Sequence, residues 1–223
     1  MIKTPYRYLS DDDLSETQIY VTMQTYDRCA PEYAQKWEWN PITVREIKKY
    51  NIAPFQKYVK LGSSVLLVEC QSGRDYKLLS ELGYSCFGVG SSYGLLVEAT
   101  KRVPNGLFGR LDPRELPFIP ESFDGIYADA LTNIPRRDLP SALADFHIFL
   151  KTKGILYLSL KLGSKHVLEL SDLGGQRFFS LYQKSEITTM LSKAGFTLLW
   201  SDESFNTDHS LPHWFSVVVQ KKA

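Results

Sequence analysis

Four short stretches carry the polar residues that chemistry would need. In VECQSGRDY, Glu69, Gln71 and Gly73 stand at alternate positions, after an apolar run and before a helical pattern. A strand–turn–helix junction of this layout turns backbone amides and a helix N-terminus toward an anion or a nucleotide. The turn holds one glycine where such turns usually hold two or three. The other stretches are GVGSS with Gly90 and Ser91, RLDPRELPF with Leu111 and Asp112, and YADALTNIP with Asp129 and Asn133. Each follows an apolar run, and ligands of open parallel sheets sit at the carboxyl ends of the strands. The dinucleotide signature G-x-G-x-x-G is absent after the first run, which argues against a dehydrogenase.

The elements that must position these residues are legible from periodicity. Short apolar runs of strand type occupy 64–69, 85–89, 107–110, 124–128, 155–160, 196–201 and 214–219, with helical patterns at 74–82, 92–102, 138–151 and 184–194. Alternating strands and helices predict a mainly parallel sheet covered on both faces, a three-layer αβα sandwich. The last two runs have no helix between them and predict an antiparallel terminal hairpin. Before the sandwich, residues 1–60 read as a helical appendage, with SDDD (Ser10–Asp13) as a helix cap, a break at Pro31 and another near Pro54. Residues 61–223 form the main domain.

Composition narrows the field. The chain has 223 residues, 43% hydrophobic and 23% charged, with net charge +1, so no polyanionic partner is expected. Lys48, Lys49, Lys57 and Lys60, interleaved with Tyr50 and Tyr58, read as a solvated helix face rather than a nucleic-acid surface. Cys29, Cys70 and Cys86 form no CxxC, and with four scattered histidines no metal site is expected. His147 reads as an ordinary helix histidine. The N-terminus has no signal-peptide core and no apolar run reaches ~18 residues, so a cytoplasmic protein without a membrane partner is expected.

From about Thr25 onward the chain resembles the class I S-adenosylmethionine-dependent methyltransferases of the bacterial small-molecule type. The similar pieces are TYDRCAPEYAQKW, SGRDYKLLSELGY, ELPFIPESFDGIYADA, LPSALADFHIFLKTKGILYLSLK, FFSLYQKSEITTMLSKAGF and WFSVVVQKK. The resemblance implies a seven-stranded sheet of order 3-2-1-4-5-7-6 and S-adenosylmethionine as cofactor. It implies that Glu69, Gln71 and Gly73 replace the three glycines of a D-x-G-x-G-x-G loop, with Leu67 at the acid. A second register makes Glu69 the acid, with Gln71, Gly73 and Asp75 at the glycines. The first keeps the following helix and strand in step. Gly90 stands where the family places an acid toward the ribose hydroxyls, and Ser91 or Ser92 is a weaker substitute. Asp112 stands toward the adenine amino group, flanked by Leu111 and Pro113, or caps a turn. Asp129 and Asn133 stand beside the transferring methyl group.

Two functions follow from this resemblance. One is methyl transfer to a small-molecule acceptor, with the N-terminal helix as a lid presenting Tyr26 and Tyr33, and with Tyr182, His209, His213 and Trp214 shaping the acceptor pocket. No catalytic residue is identified. The other is an inactive descendant that has lost the cofactor and serves as a binding or scaffolding module for a protein partner. Losing two charged hydrogen bonds at the ribose would cost up to ~3–6 kcal/mol. Glu69 facing the cofactor's carboxylate at ~5 Å would add roughly 3 kcal/mol of repulsion, unless Arg74 neutralises it.

Overall fold

The computed structural model describes residues 6–9 (main chain), 16–204 and 214–222. The expected cap at Ser10–Asp13 and the pocket candidates His209 and His213 lie outside the described residues.

In chain order the elements are β1 (Tyr6–Leu9), α1 (Glu16–Tyr33), α2 (Pro41–Ile47), α3 (Ala53–Gln56), β2 (Ser64–Val68), α4 (Arg74–Glu81), β3 (Ser85–Gly90), α5 (Tyr93–Arg102), β4 (Phe108–Arg110) and β5 (Phe123–Ala128). They continue with α6 (Leu139–Phe149), β6 (Leu150–Leu162), β7 (His166–Leu170), β8 (Gln176–Tyr182), α7 (Lys184–Lys193), β9 (Phe196–Ser204) and β10 (Trp214–Lys221). The central sheet runs β4-β3-β2-β5-β6-β10-β9, the order 3-2-1-4-5-7-6. Its first five strands are parallel, and β10 lies antiparallel between β6 and β9.

The sheet is parallel because both of its faces are apolar. Leu66 and Val68 of β2 enter one core with Phe146 of α6 and Leu191 of α7. Val65 and Leu67 enter the other with Phe55 of α3 and Leu79 of α4. A strand buried on both faces needs a helical layer on each, which the right-handed crossovers supply. Phe55 is fully buried, its ring 5.4 Å from that of Tyr127. A Cβ on Gly125 would meet that ring at 2.8 Å, so glycine there lets the helical layer approach the sheet. His147 packs at the end of α7, where a Cβ on Gly195 would lie 2.8 Å from its Nε2. Burial pushes its imidazole below the ordinary value.

The appendage differs from a plain pair of helices. Helical turns widen to an i→i+5 pattern at Ala34–Glu38, just past Pro31, and again at Lys48–Ile52, just before Pro54. A proline removes one amide donor and crowds the preceding turn, and a widened turn absorbs the misfit. The appendage also contributes β1, antiparallel to β7. The sequence reading missed the β7–β8 ribbon, although HVLELSDLGGQRFFSLY alternates around Gly174 and Gly175, both at φ above +80°.

The free edge of β8 is covered by α1. Thr22 Oγ1 accepts from the Phe178 amide at 3.0 Å. Thr25 Oγ1 donates to the Gln176 carbonyl at 2.8 Å and lies 3.2 Å from the Gln176 amide. A strand edge left open would expose unpaired main-chain groups, and two threonines satisfy them here. Thr22→Val should therefore destabilise the protein by about 1–3 kcal/mol, the cost of an orphaned buried amide. Urea unfolding should show a lowered midpoint at unchanged slope, and hydrogen exchange should accelerate at Phe178.

Candidate active site

The chain leaves β2 through a turn in which three alternate residues take left-handed backbone angles: Glu69 at φ 54°, Gln71 at φ 50° and Gly73 at φ 80°. These are the three glycine positions of the first register. The second register fails on geometry, since Asp75 lies in the first turn of α4. Gly73 is also fixed by packing, because a Cβ there would meet the Ala99 Cβ at 3.0 Å and its Cα at 3.1 Å. A side chain in this conformation costs roughly 1–2 kcal/mol, and the turn carries two of them.

Glu69 reaches from the end of β2 to the end of β3. Its Oε1 accepts from the Ser91 amide at 3.2 Å and from the Ser91 hydroxyl. Its Oε2 lies 3.9 Å from where a Cβ on Gly90 would stand. Burial pushes its carboxyl up to about 7; the Ser91 bonds pull it down, and the Asp112 charge pushes it further up. Gln71 Oε1 is buried in the same turn without a hydrogen-bond partner.

The next residues of the turn are gripped from above and below. The Ser72 amide and hydroxyl both donate to the buried Glu38 carboxylate, and Trp39 Nε1 donates to Ser72 Oγ at 2.9 Å. Burial raises the Glu38 carboxyl, against the pull of Arg74 and the Ser72 bonds. Arg74 does not turn toward Glu69. Its guanidinium holds both oxygens of Asp75, at 2.7 and 2.9 Å, and Asp129 Oδ2 at 3.1 Å. Burial works against its charge, yet Asp75, Glu38 and Asp129 hold it well above the ordinary arginine value. Asn51 donates to the other Asp129 oxygen at 2.9 Å. Asp129 is thus tied into an ion-pair network under the turn.

The helix α1 packs against the start of α5 at this edge. Asp27 Oδ1 accepts from Ser92 Oγ at 2.6 Å and from the Gly94 amide at 2.9 Å. A Cβ on Gly94 would strike the Asp27 carbonyl at 2.5 Å. Tyr26 and Tyr33 stack edge to face at 5.3 Å. Burial pushes Tyr26 up to about 12, with Arg177 and Glu69 among the charges it feels. Arg177 of β8 pairs with Glu169 at 2.7 Å and lies 5.6 Å from the Tyr26 ring, and its Nε is buried without a hydrogen-bond partner.

The remaining expected residues are spread more widely. Leu111 donates its amide to the Gly90 carbonyl at 3.2 Å, which holds the chain after β4 against the end of β3. Asp112 caps the turn through the Arg114 amide at 2.9 Å, and the Arg114 guanidinium holds it from the side. Asn133 donates to the Phe178 carbonyl, which fixes the β5–α6 loop to β8. Tyr182 is 1% exposed and lies under Arg136, beside a surface cleft of about 410 Å³ that also touches Ser185, Glu186 and Met190. Trp214 sits with Phe179 around Lys161, whose ammonium lies 3.6 Å from the Phe179 ring centre. Glu38, Trp39, Asn51 and Arg177 carried no motif, and only the fold brings them to the turn. Among the described residues no cluster of His, Cys, Asp and Glu could hold a metal, and no helix is long and apolar enough to cross a membrane.

Residues 66–158 match the family described as a methyltransferase domain. No curated protein matches the chain. Among solved structures, 1,6-didemethyltoxoflavin-N1-methyltransferase from Burkholderia thailandensis, with 1,6-didemethyltoxoflavin and S-adenosylhomocysteine bound, is similar at TM-score 0.75 and 16% identity, over 100% of this chain and 97% of that one. An S-adenosylmethionine-dependent methyltransferase from Methanosarcina mazei is similar at TM-score 0.69 and 17% identity, over 78% of this chain and 98% of that one. The [4+2]-cyclase SpnF is similar at TM-score 0.71 and 14% identity, over 92% of this chain and 96% of that one. At these identities the structural likeness speaks for the fold. The matched segment spans the turn after β2, the strands β3, β4 and β5, and most of β6. Residues 66–158 are thus similar to the methyltransferase-domain family, in a chain that shares the fold of the class I S-adenosylmethionine-dependent methyltransferases.

Proposed function

We propose that this protein binds S-adenosylmethionine at the carboxyl ends of β2, β3 and β4 and catalyses methyl transfer to a small-molecule acceptor. The observation that carries the reading is the main chain of the turn, which keeps left-handed geometry at Glu69, Gln71 and Gly73 although only one of them is glycine. A strained conformation held at side-chain cost points to a function for that shape. The surroundings suit a ligand with positive charge and hydroxyls: the carboxylates of Glu69 and Glu38 and the unpartnered Gln71 oxygen face the turn as acceptors. Bound there, S-adenosylmethionine would supply an electrophilic methyl group on its sulfonium.

Within this reading the chain itself positions and dries. Leu111 and Asp112 flank the adenine side, and Asp129 and Arg74 brace the turn from below. Tyr26 and Tyr33 close the site from the lid and exclude water. Arg177, beside Tyr26, faces the acceptor. Methyl transfer needs an in-line approach more than a dedicated acid or base, so positioning is the protein's main task. The relative with S-adenosylhomocysteine bound shares this architecture along its whole length.

One observation favours a second reading, a descendant without cofactor that serves as a binding module. The Ser72 amide, which such a turn turns toward the cofactor, is taken by the chain's own Glu38. The neighbour that is a cyclase shows that this fold also carries other chemistry.

Isothermal titration with S-adenosylmethionine and S-adenosylhomocysteine separates the two. Saturable binding with a raised melting temperature is expected; silence at millimolar ligand removes the enzyme reading. Gly73→Ala should abolish this binding, since the new methyl group strikes Ala99 and strains the backbone.

The unliganded protein should also report the state of Glu69. Its folded carboxyl titrates at about 7, above its ordinary 4.5, so folding favours the protonated form. The group contributes nothing below pH 4.5 and becomes progressively destabilising as pH rises to about 7. Glu69→Gln should therefore gain on the wild type between pH 5 and 8, by up to a few kcal/mol, in urea unfolding series at each pH. A gap that does not change with pH would contradict the burial of this carboxyl.

A further inference from the structure

We infer that Glu69, reaching across from the end of β2, does at the end of β3 what a carboxylate on residue 90 would do: it accepts hydrogen bonds from the vicinal hydroxyls of the cofactor's ribose. The inference rests on the proposed cofactor site and assigns this residue its role there.

Three observations converge on it. The Glu69 Oε2 stands 3.9 Å from the Cβ position of residue 90, so the Glu69 carboxylate adjoins the space a side chain there would enter. The two Ser91 bonds both fall on Oε1, so Oε2 accepts no hydrogen bond among the described residues and keeps its lone pairs for a ligand. Gly90 has an ordinary backbone conformation, and a Cβ there would meet nothing closer than Leu96 Cδ2 at 3.6 Å. Neither strain nor crowding by the backbone demands glycine at 90. A longer side chain would meet Leu96 on one side and the Glu69 carboxylate on the other. The departure in the glycine loop and the departure at the end of β3 therefore fit together: the side chain added at 69 borders the room left by the one missing at 90. Ser91 then orients the transplanted carboxylate instead of replacing it.

The same geometry decides what Gly90→Asp alone should do. With Glu69 in place it sets two carboxylates against each other, so it gives no gain in affinity.

The test is a cycle of binding titrations with S-adenosylhomocysteine and its 2′-deoxy analogue on wild type, Glu69→Ala, Glu69→Gln and the double variant Glu69→Ala/Gly90→Asp, each checked for folding by thermal melting. The wild type should prefer the hydroxylated ligand at least tenfold, in line with a hydrogen bond to a charged group. Glu69→Ala should lose at least tenfold in affinity together with that preference, and the double variant should regain both. Glu69→Gln, uncharged and of equal size, should fall between wild type and alanine, and it decides the matter if the alanine variant does not fold. Equal or tighter binding by Glu69→Ala overturns the inference and makes Glu69 a plug, while the cofactor reading stands. Silence from all four proteins at millimolar ligand removes both.

Discussion

The constraint on which this molecule turns is the path of the chain as it leaves the first strand of the central sheet. Between Val68 and Arg74 the main chain must reverse, stay within reach of the neighbouring strand and start a helix against Ala99. Only left-handed angles at every second residue accomplish this, and glycine would take them without strain. Here Glu69 and Gln71 take them at a cost. The neighbouring structure restrains the turn: Cys70 donates its amide to the Val89 carbonyl, Ser72 is gripped by Glu38 and Trp39, and Arg74 is anchored between Asp75 and Asp129.

That restraint links the appendage to the domain. Glu38 and Trp39 lie just after the lid helix, and Asn51 lies in the next helical stretch. Each reaches a residue at the carboxyl edge of the sheet. The buried charges Arg74, Asp75, Asp129 and Glu38 tolerate one another because each has a partner; removing one partner would strand the rest in low dielectric. The appendage and the site are in this sense one polar unit, and the widened turns after Pro31 and before Pro54 shape the helical run to deliver it.

The seven strands and the terminal hairpin were legible because they rest on periodicity, and periodicity reports burial; their order came from the family resemblance. Val65 to Val68 reads as a continuous apolar run because both faces of that strand are covered. The need for glycine at 73 has a packing reason, since a Cβ there would meet Ala99. The β7–β8 ribbon was overlooked because the alternation of HVLEL and RFFSLY yielded to an expectation of strand followed by helix. Within the site, Glu69 was read as a charge facing inward, whereas it lies sideways against Ser91. Arg74, expected to neutralise it, serves Asp75 and Asp129 instead. Such choices depend on which partner lies nearest in space: Ser91 stands 22 positions after Glu69, and Asp129 stands 55 after Arg74.

The threonine contacts between α1 and β8 have one more consequence. A lid that swings freely can exchange ligands by itself, but this helix completes a strand edge through Thr22 and Thr25 while Asp27 caps α5. To lift it alone would bare the main chain of β8 and uncap a helix at once. Moving helix and ribbon together would spare the threonine bonds, yet it would still pull Asp27 from α5 and part β8 from β6 at Leu181 and Tyr182. This edge is therefore latched from three sides, and an opening there has to break all three together.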